Sequence, residues 1–101
     1  MPQIIISTEA RDDLSAIRDY IRDELQSPES ARRIMASLKK SILSLSHFPE
    51  RGTPLNSILS VNTPFRFLVC GRYRIFYLIH GKRIEVVRIL HTRQDFIRTL
   101  F

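Results

Sequence analysis

The apolar positions of the chain change period twice, and each change marks a new kind of element. Ile4, Ile5 and Ile6 form a short β-branched run that predicts an opening strand. Ser7 and Thr8 then offer hydroxyl caps, with Glu9, Asp12 and Asp13 set against the positive end of a helix. Ala10, Leu14, Ile17, Ile21 and Leu25 recur at spacings of three and four and so make one apolar stripe. Arg11, Arg18, Asp19, Arg22 and Asp23 fall off that stripe and are expected in solvent. Ser27-Pro28-Glu29 restarts the chain, because Ser27 caps and Pro28 suits a first helical position, where its missing N–H has no partner to lose. A second stripe runs through Ala31, Ile34 or Met35, Leu38, Ile42 and Leu45 and stops before Pro49. Two amphipathic helices so closely joined predict an antiparallel hairpin that needs a sheet to cover.

From Glu50 to Pro64 no period persists, and Gly52, Pro54, Asn56 and Pro64 read as a loop. Three strand-like segments follow: Phe65 to Cys70, Tyr73 to His80, and Ile84 to Leu90. Gly71-Arg72 and Gly81-Lys82 connect them, which predicts an antiparallel meander. A closing helix is expected from about Gln94 to Phe101, with Phe96 and Leu100 four apart. The order is β-α-α-β-β-β-α. It implies an α+β fold, an antiparallel sheet covered on one face by the helical hairpin, in a single domain over residues 1–101.

Charge alters this picture because it is unevenly placed. The net charge of the 101 residues is +6. Residues 1–50 hold 7 Lys/Arg against 8 Asp/Glu, whereas residues 51–101 hold 9 against 2. The late strands therefore carry an electropositive surface suited to nucleic acid or an acidic protein. A lone cysteine, Cys70, and no Cys/His cluster at zinc spacing give no reason to expect a disulfide, a metal or a cofactor. No apolar run approaches the ~20 residues of a membrane span. The opening residues lack a basic, apolar leader, so a cytoplasmic location is expected.

Gly71-Arg72-Tyr73-Arg74-Ile75-Phe76-Tyr77, followed by Arg88-Ile89-Leu90-His91-Thr92-Arg93-Gln94-Asp95, resembles the C-terminal signature of the ParE/RelE toxins. In that family a "YRI-aromatic-Tyr" strand pairs with a strand running into "His-x-Arg-x-Asp", and the element order matches over nearly the whole chain. The resemblance implies the toxin of a type II toxin–antitoxin pair, held in a hetero-oligomer by a cognate ParD-like antitoxin. ParE-like members poison DNA gyrase and RelE-like members cut messenger RNA on the ribosome. The RelE-like chemistry draws on lysines in the strand before the "YR" strand, two arginines and a C-terminal tyrosine. Here Phe65 to Cys70 supplies Arg66 and no lysine, Arg74 and Arg93 match the arginines, and Phe96 to Phe101 contains no tyrosine. Arginine is a poor proton acceptor because it stays charged at working pH. The gyrase branch is therefore preferred, with no catalytic residues expected. The alternatives are a ribosome-dependent endonuclease using Arg74, His91 and Arg93, and an inactive module that only binds antitoxin. Direct contact with nucleic acid stays open.

Within that reading Arg66, Arg72, Arg74 and Arg93 are the target-binding candidates, gathered on one basic platform. Strand alternation places Tyr73, Ile75, Tyr77 and Ile79 toward the helices and Arg74, Phe76, Leu78 and His80 away from them. Phe76 and Leu78, with Arg32 and Arg33 on the second helix, are the candidates for contact with the antitoxin. The competing assignment buries Phe76 and Leu78 beneath the 50–64 loop or the last helix. His91 is assigned to ordering the turn after its strand, through Asp95, and Arg93 to a phosphate or an acidic surface.

Overall fold

The computed structural model describes residues 2–101; Met1, the first residue of the opening segment, lies outside them. Strand β1 (Gln3–Ile6) runs into helix α1 (Thr8–Asp19) through Ser7. The Ser7 hydroxyl accepts from the Ala10 N–H at 3.1 Å, capping the helix, and donates to the Val87 carbonyl at 2.9 Å. One side chain thus ends a strand, starts a helix and ties both to a strand eighty residues away.

The α1 stripe does not run its full predicted length. At Tyr20–Glu24 the helix widens into a π turn, and Gln26 comes next in the left-handed region at φ 50°. A π turn spaces its hydrogen bonds one residue further apart and rotates the residues beyond it off the stripe. Ile21 stays buried, but Leu25 turns outward and is 58% exposed, contrary to its place in the predicted stripe. Helix α2 (Pro28–Ser44) restarts as expected, with Ser27 accepting from the Ser30 N–H and Pro28 in the first turn. Ala31, Leu38, Ile42 and Leu45 enter the core as the second stripe requires.

The remaining strands are β2 (Thr53–Pro54), β3 (Arg66–Cys70), β4 (Tyr73–His80) and β5 (Arg83–His91), with helix α3 (Phe96–Leu100) after them. The sheet order is β1-β5-β4-β3-β2. The meander β3-β4-β5 is antiparallel, and Gly71 and Gly81 each adopt φ 59° at its turns, which a residue with a Cβ would resist. β1 pairs with β5 in parallel, so this α+β sheet is mixed at that edge. The segment expected to be pure loop contributes β2, paired with β3 through Thr53 and Pro54, and a 3₁₀ turn at Leu55–Ser57.

The two sheet faces bury different sets of residues. Ile75, Tyr77, Ile84, Val86 and Ile89 pack beneath the hairpin with Ala10, Leu38, Ile42 and Leu45. On the other face Phe67, Phe76 and Leu90 pack with Leu55, and Phe96 and Leu100 of α3 lie against them. The alternation predicted for β4 therefore holds. Phe76, however, is fully buried, so its expected role as an exposed antitoxin contact is not met. The 3₁₀ turn and α3 cover it from the same chain, and Leu78 is half-buried.

Candidate functional site

The four candidate arginines do not share one platform. Arg66 pairs in register with Tyr77 and so leans toward the hairpin side. Its guanidinium donates to the Glu50 and Gly52 carbonyls at 3.2 and 2.8 Å. Tyr77 grips the same segment, donating to the Pro49 carbonyl at 2.7 Å and accepting from the Gly52 N–H at 2.9 Å. Arg66 is thus a brace for residues 49–52, engaged there and not on the face that carries Arg74. Arg74 lies on the opposite face, its guanidinium carbon 5.9 Å from the Phe67 ring centre and 5.4 Å from that of Phe96. It reaches the Thr92 carbonyl at 3.4 Å, and its Nε is buried without a hydrogen-bond partner. Held between two aromatic faces, that cation stabilises the seat of α3.

Arg72 and Arg93 do come together. The Thr92 N–H donates to the Arg72 carbonyl at 2.8 Å, drawing the end of β5 to the β3–β4 turn. His91 orders the adjoining turn: its Nδ1 accepts from the Arg93 N–H at 3.1 Å, and its own N–H donates to the Gln94 side chain at 2.8 Å. In that turn the partners of His91 are Arg93 and Gln94 and not the expected Asp95. Asp95 instead faces Arg98 at 3.7 Å. With Nδ1 occupied as an acceptor, the neutral ring carries its proton on Nε2. The Tyr73 ring packs edge-on against it, 5.5 Å between centres, and burial pushes the Tyr73 hydroxyl above its ordinary value.

Two grooves flank the hairpin where it sits on the sheet. On the β1 side a groove of about 610 Å³ has an apolar floor of Ile4, Ile6, Leu14, Met35 and Ile42, with Leu43, Arg11 and Lys39 at its margin. On the β3–β4 side a groove of about 800 Å³ runs from Ile17, Tyr20, Ile21 and Ile34 to Tyr73, Arg72 and Arg93. No Asp or Glu lines either groove. Arg32 and Arg33 are exposed on α2; Arg32 edges a smaller hollow beside Arg18 and Arg22, and Arg33 donates to the Ser30 hydroxyl at 3.3 Å.

Sequence reading missed the ion pair that fixes the hairpin to the sheet. Asp13 accepts from Arg88 Nε and Nη2 at 2.7 and 2.9 Å, and from the Ile89 N–H at 2.9 Å. β1 ends its pairing with β5 at Ile6 and Val86, so the carboxylate takes the place of a strand neighbour for the next stretch of β5. Asp13 holds Arg88 firmly in its charged form, its guanidinium raised above its ordinary value by that hydrogen bond. The only signal in the sequence was an acid one turn into a helix, already explained by the helix dipole.

Comparison with known proteins bears directly on this arrangement. The structure resembles the chromosomal ParDE toxin–antitoxin system from P. aeruginosa with a TM-score of 0.75 at 22% identity, covering 90% of this chain and 96% of that one. It resembles the RelBE2 toxin–antitoxin complex from Mycobacterium tuberculosis with a TM-score of 0.66 at 23% identity, covering 90% and 99%. In sequence it is 36% identical over 91 residues to Toxin RelE2 of Caulobacter vibrioides, spanning 90% of this chain and 96% of that protein. The family model of the ParE toxin of the type II toxin–antitoxin system parDE matches residues 4–96, from the first residues of β1 to the first residue of α3. That span contains the capped hairpin, the meander and both flanking grooves, and it places this chain in the ParE toxin family of type II toxin–antitoxin systems.

Proposed function

We propose that this toxin acts by binding, arresting DNA gyrase on broken DNA, and that a cognate antitoxin neutralises it. The observation that carries the first part is the state of the sheet face away from the hairpin. Cleaving RNA requires a base for the 2′-hydroxyl and an acid for the leaving oxygen, both within hydrogen-bond reach of the scissile phosphate. On that face Phe76 and Leu90 are buried, Phe67 nearly so, and the cations beside them are engaged, Arg74 between the Phe67 and Phe96 rings and Arg88, in register with Phe76, by Asp13. β3 contributes no lysine, and the His91 Nδ1 is engaged by backbone. These features support a protein that needs no chemistry of its own.

The likeness to a protein named Toxin RelE2 favours a second reading, an RNA-cleaving toxin. One pair of assays separates them. Purified toxin incubated with gyrase and plasmid is expected to accumulate cleaved DNA and block supercoiling. Intact gyrase activity together with transcripts cut on translating ribosomes would transfer the assignment to the RNA branch.

For the antitoxin, the groove beside β1 has the fitting chemistry. β1 is an edge strand with only β5 as a neighbour, so one row of its backbone groups is free to accept another strand. Beside it lie an apolar floor and the cations of Arg11 and Lys39. An acidic, amphipathic tail would satisfy all three, with affinity from main-chain bonds and selectivity from the apolar floor. Leu43, 52% exposed at the margin, is the point of attack. Leu43→Arg is expected to weaken antitoxin binding by about tenfold or more in a titration. Unchanged affinity would move the antitoxin to another surface.

A further inference from the structure

We infer that the groove between the bent end of the hairpin and the β3–β4 turn docks an acidic, apolar-studded protein segment of the toxin's target. This rests on the toxin reading above and adds the surface and the chemistry of its partner. The groove shares no lining residue with the one beside β1, so the two flanks of the hairpin are free for two different proteins.

Shape comes from the π turn. By rotating the end of the hairpin off the predicted stripe, it sets Tyr20 and Leu25 along the groove, 56% and 58% exposed, where a regular helix would have aimed Leu25 inward. Breaks of this kind in a helix concentrate at functional sites. Two large apolar side chains held in water beside an apolar floor are an interaction surface awaiting cover.

Charge defines the occupant. Arg72 and Arg93 stand exposed at one end, and among the described residues neither has a carboxylate within 4.0 Å, while Arg18, Arg22, Arg88 and Arg98 each do. No acidic side chain lines the groove. A carboxylate from outside would therefore find two unengaged guanidinium groups in forked geometry. Nucleic acid fits less well. Tracking a phosphate backbone takes a run of cations, and this groove offers two arginines and no lysine at the end of an aliphatic floor. Ile17 and Ile34, with the exposed Tyr20 and Leu25, match apolar side chains of a partner, and Arg72 and Arg93 its acids.

The test uses the full chain carrying Arg72→Glu and Arg93→Glu together, and separately Leu25→Asp, each co-expressed with the antitoxin and then induced alone. Both variants are expected to relieve growth arrest, with colony recovery raised by about a hundredfold, as befits loss of two anchoring contacts. Yield and affinity for antitoxin should stay within about threefold of the parent, showing an intact fold and an untouched β1 groove. In the gyrase assay, cleaved DNA should fall in step. Full arrest by both variants overturns the proposal, as does a matching loss of antitoxin affinity, which would give this groove to the antitoxin. If the parent binds a single-stranded thymidine oligonucleotide in a salt-dependent way and both variants lose it, the occupant is nucleic acid and the proposal falls. If arrest depends on Arg72 and Arg93 while gyrase is untouched, gyrase is removed as the target and the groove assignment stands.

Discussion

Replacing Asp13 by alanine tests how the hairpin is held. The carboxylate accepts three hydrogen bonds, two from the Arg88 guanidinium and one from the Ile89 N–H. Its loss would leave a cation and a backbone donor unpaired at the point where β5 has outrun β1. Removing one partner of a fully buried pair costs about 3–5 kcal/mol. Here the side chains of Arg88 and Asp13 are 27% and 14% exposed, so water recovers part of that. We expect a loss of about 2–3 kcal/mol, discounted for that access. A domain of this size has only about 5–15 kcal/mol in hand. At roughly 4–8 °C per kcal/mol, the thermal midpoint should fall by about 10–20 °C. Thermal unfolding followed by circular dichroism, on toxin separated from antitoxin and refolded, measures it. Asp12→Ala is the control: exposed one residue away, it should cost under about 1 kcal/mol through the helix dipole alone. A double-mutant cycle with Arg88→Met should show coupling of about 1 kcal/mol or more. If Asp13→Ala and Asp12→Ala unfold together, the carboxylate is not what holds α1 to β5.

Three further outcomes are expected from the same packing. Tyr77→Phe removes the hydroxyl that joins Gly52 and Pro49 and should cost about 1–3 kcal/mol by leaving the buried Gly52 N–H unpaired. Burial raises the Tyr77 hydroxyl above its ordinary value, so folding favours its protonated form. The associated stability is complete below about pH 10 and is lost as pH rises further, and urea midpoints from pH 8 to 11 should fall less steeply in Tyr77→Phe. Parallel slopes would refute this. Gly52→Ala should cost about 2–3 kcal/mol, since a new Cβ would meet the Tyr77 ring at 2.7 Å and the Phe67 carbonyl at 2.9 Å. A urea midpoint equal to the parent's would show that residues 49–52 can shift freely. Phe96→Ala should uncover Phe76 and Arg74 and raise binding of a hydrophobic dye, at a cost of about 2 kcal/mol for a partly buried ring. Unchanged dye binding would mean α3 does not seal that face.

The sequence made the local elements plain because their causes are local. Ser7 and Ser27 cap where a hydroxyl precedes an apolar stripe, and the three late strands fall within about two residues of their predicted ends. What stayed hidden depends on residues far apart. β2 is two residues long and exists only because β3 lies beside it. The direction of β1 is set by α1 and α2 crossing the sheet before the meander begins. The π turn is also non-local in origin, since Ile21 and Leu25 are spaced as in any amphipathic helix and only packing decides which enters the core.

Charge was legible in amount but not in position, and here the structure changes the meaning of the basic second half. A run of arginines in alternating strands says nothing about which guanidinium will find a partner. Arg66 is taken up by the Glu50 and Gly52 carbonyls, Arg51 by Ser44 and Arg88 by Asp13, while Arg74 is enclosed by Phe67 and Phe96; Arg98 stays 89% exposed beside Asp95 on α3, outside the lining of the β3–β4 groove. Arg66, Arg51, Arg88 and Arg74 each stabilise the fold, and none of these four meets a partner without loss. Lys82 and Arg83 sit at the β4–β5 turn, at the far end of β4 from the groove that Arg72 enters. Two cations then remain beside an apolar surface on the β3–β4 flank, Arg72 and Arg93. Binding through them adds attraction without dismantling any interaction the fold already makes. A basic surface becomes a site where its charges are left over, and on the β3–β4 flank they are left over beside the bend that exposes Tyr20 and Leu25.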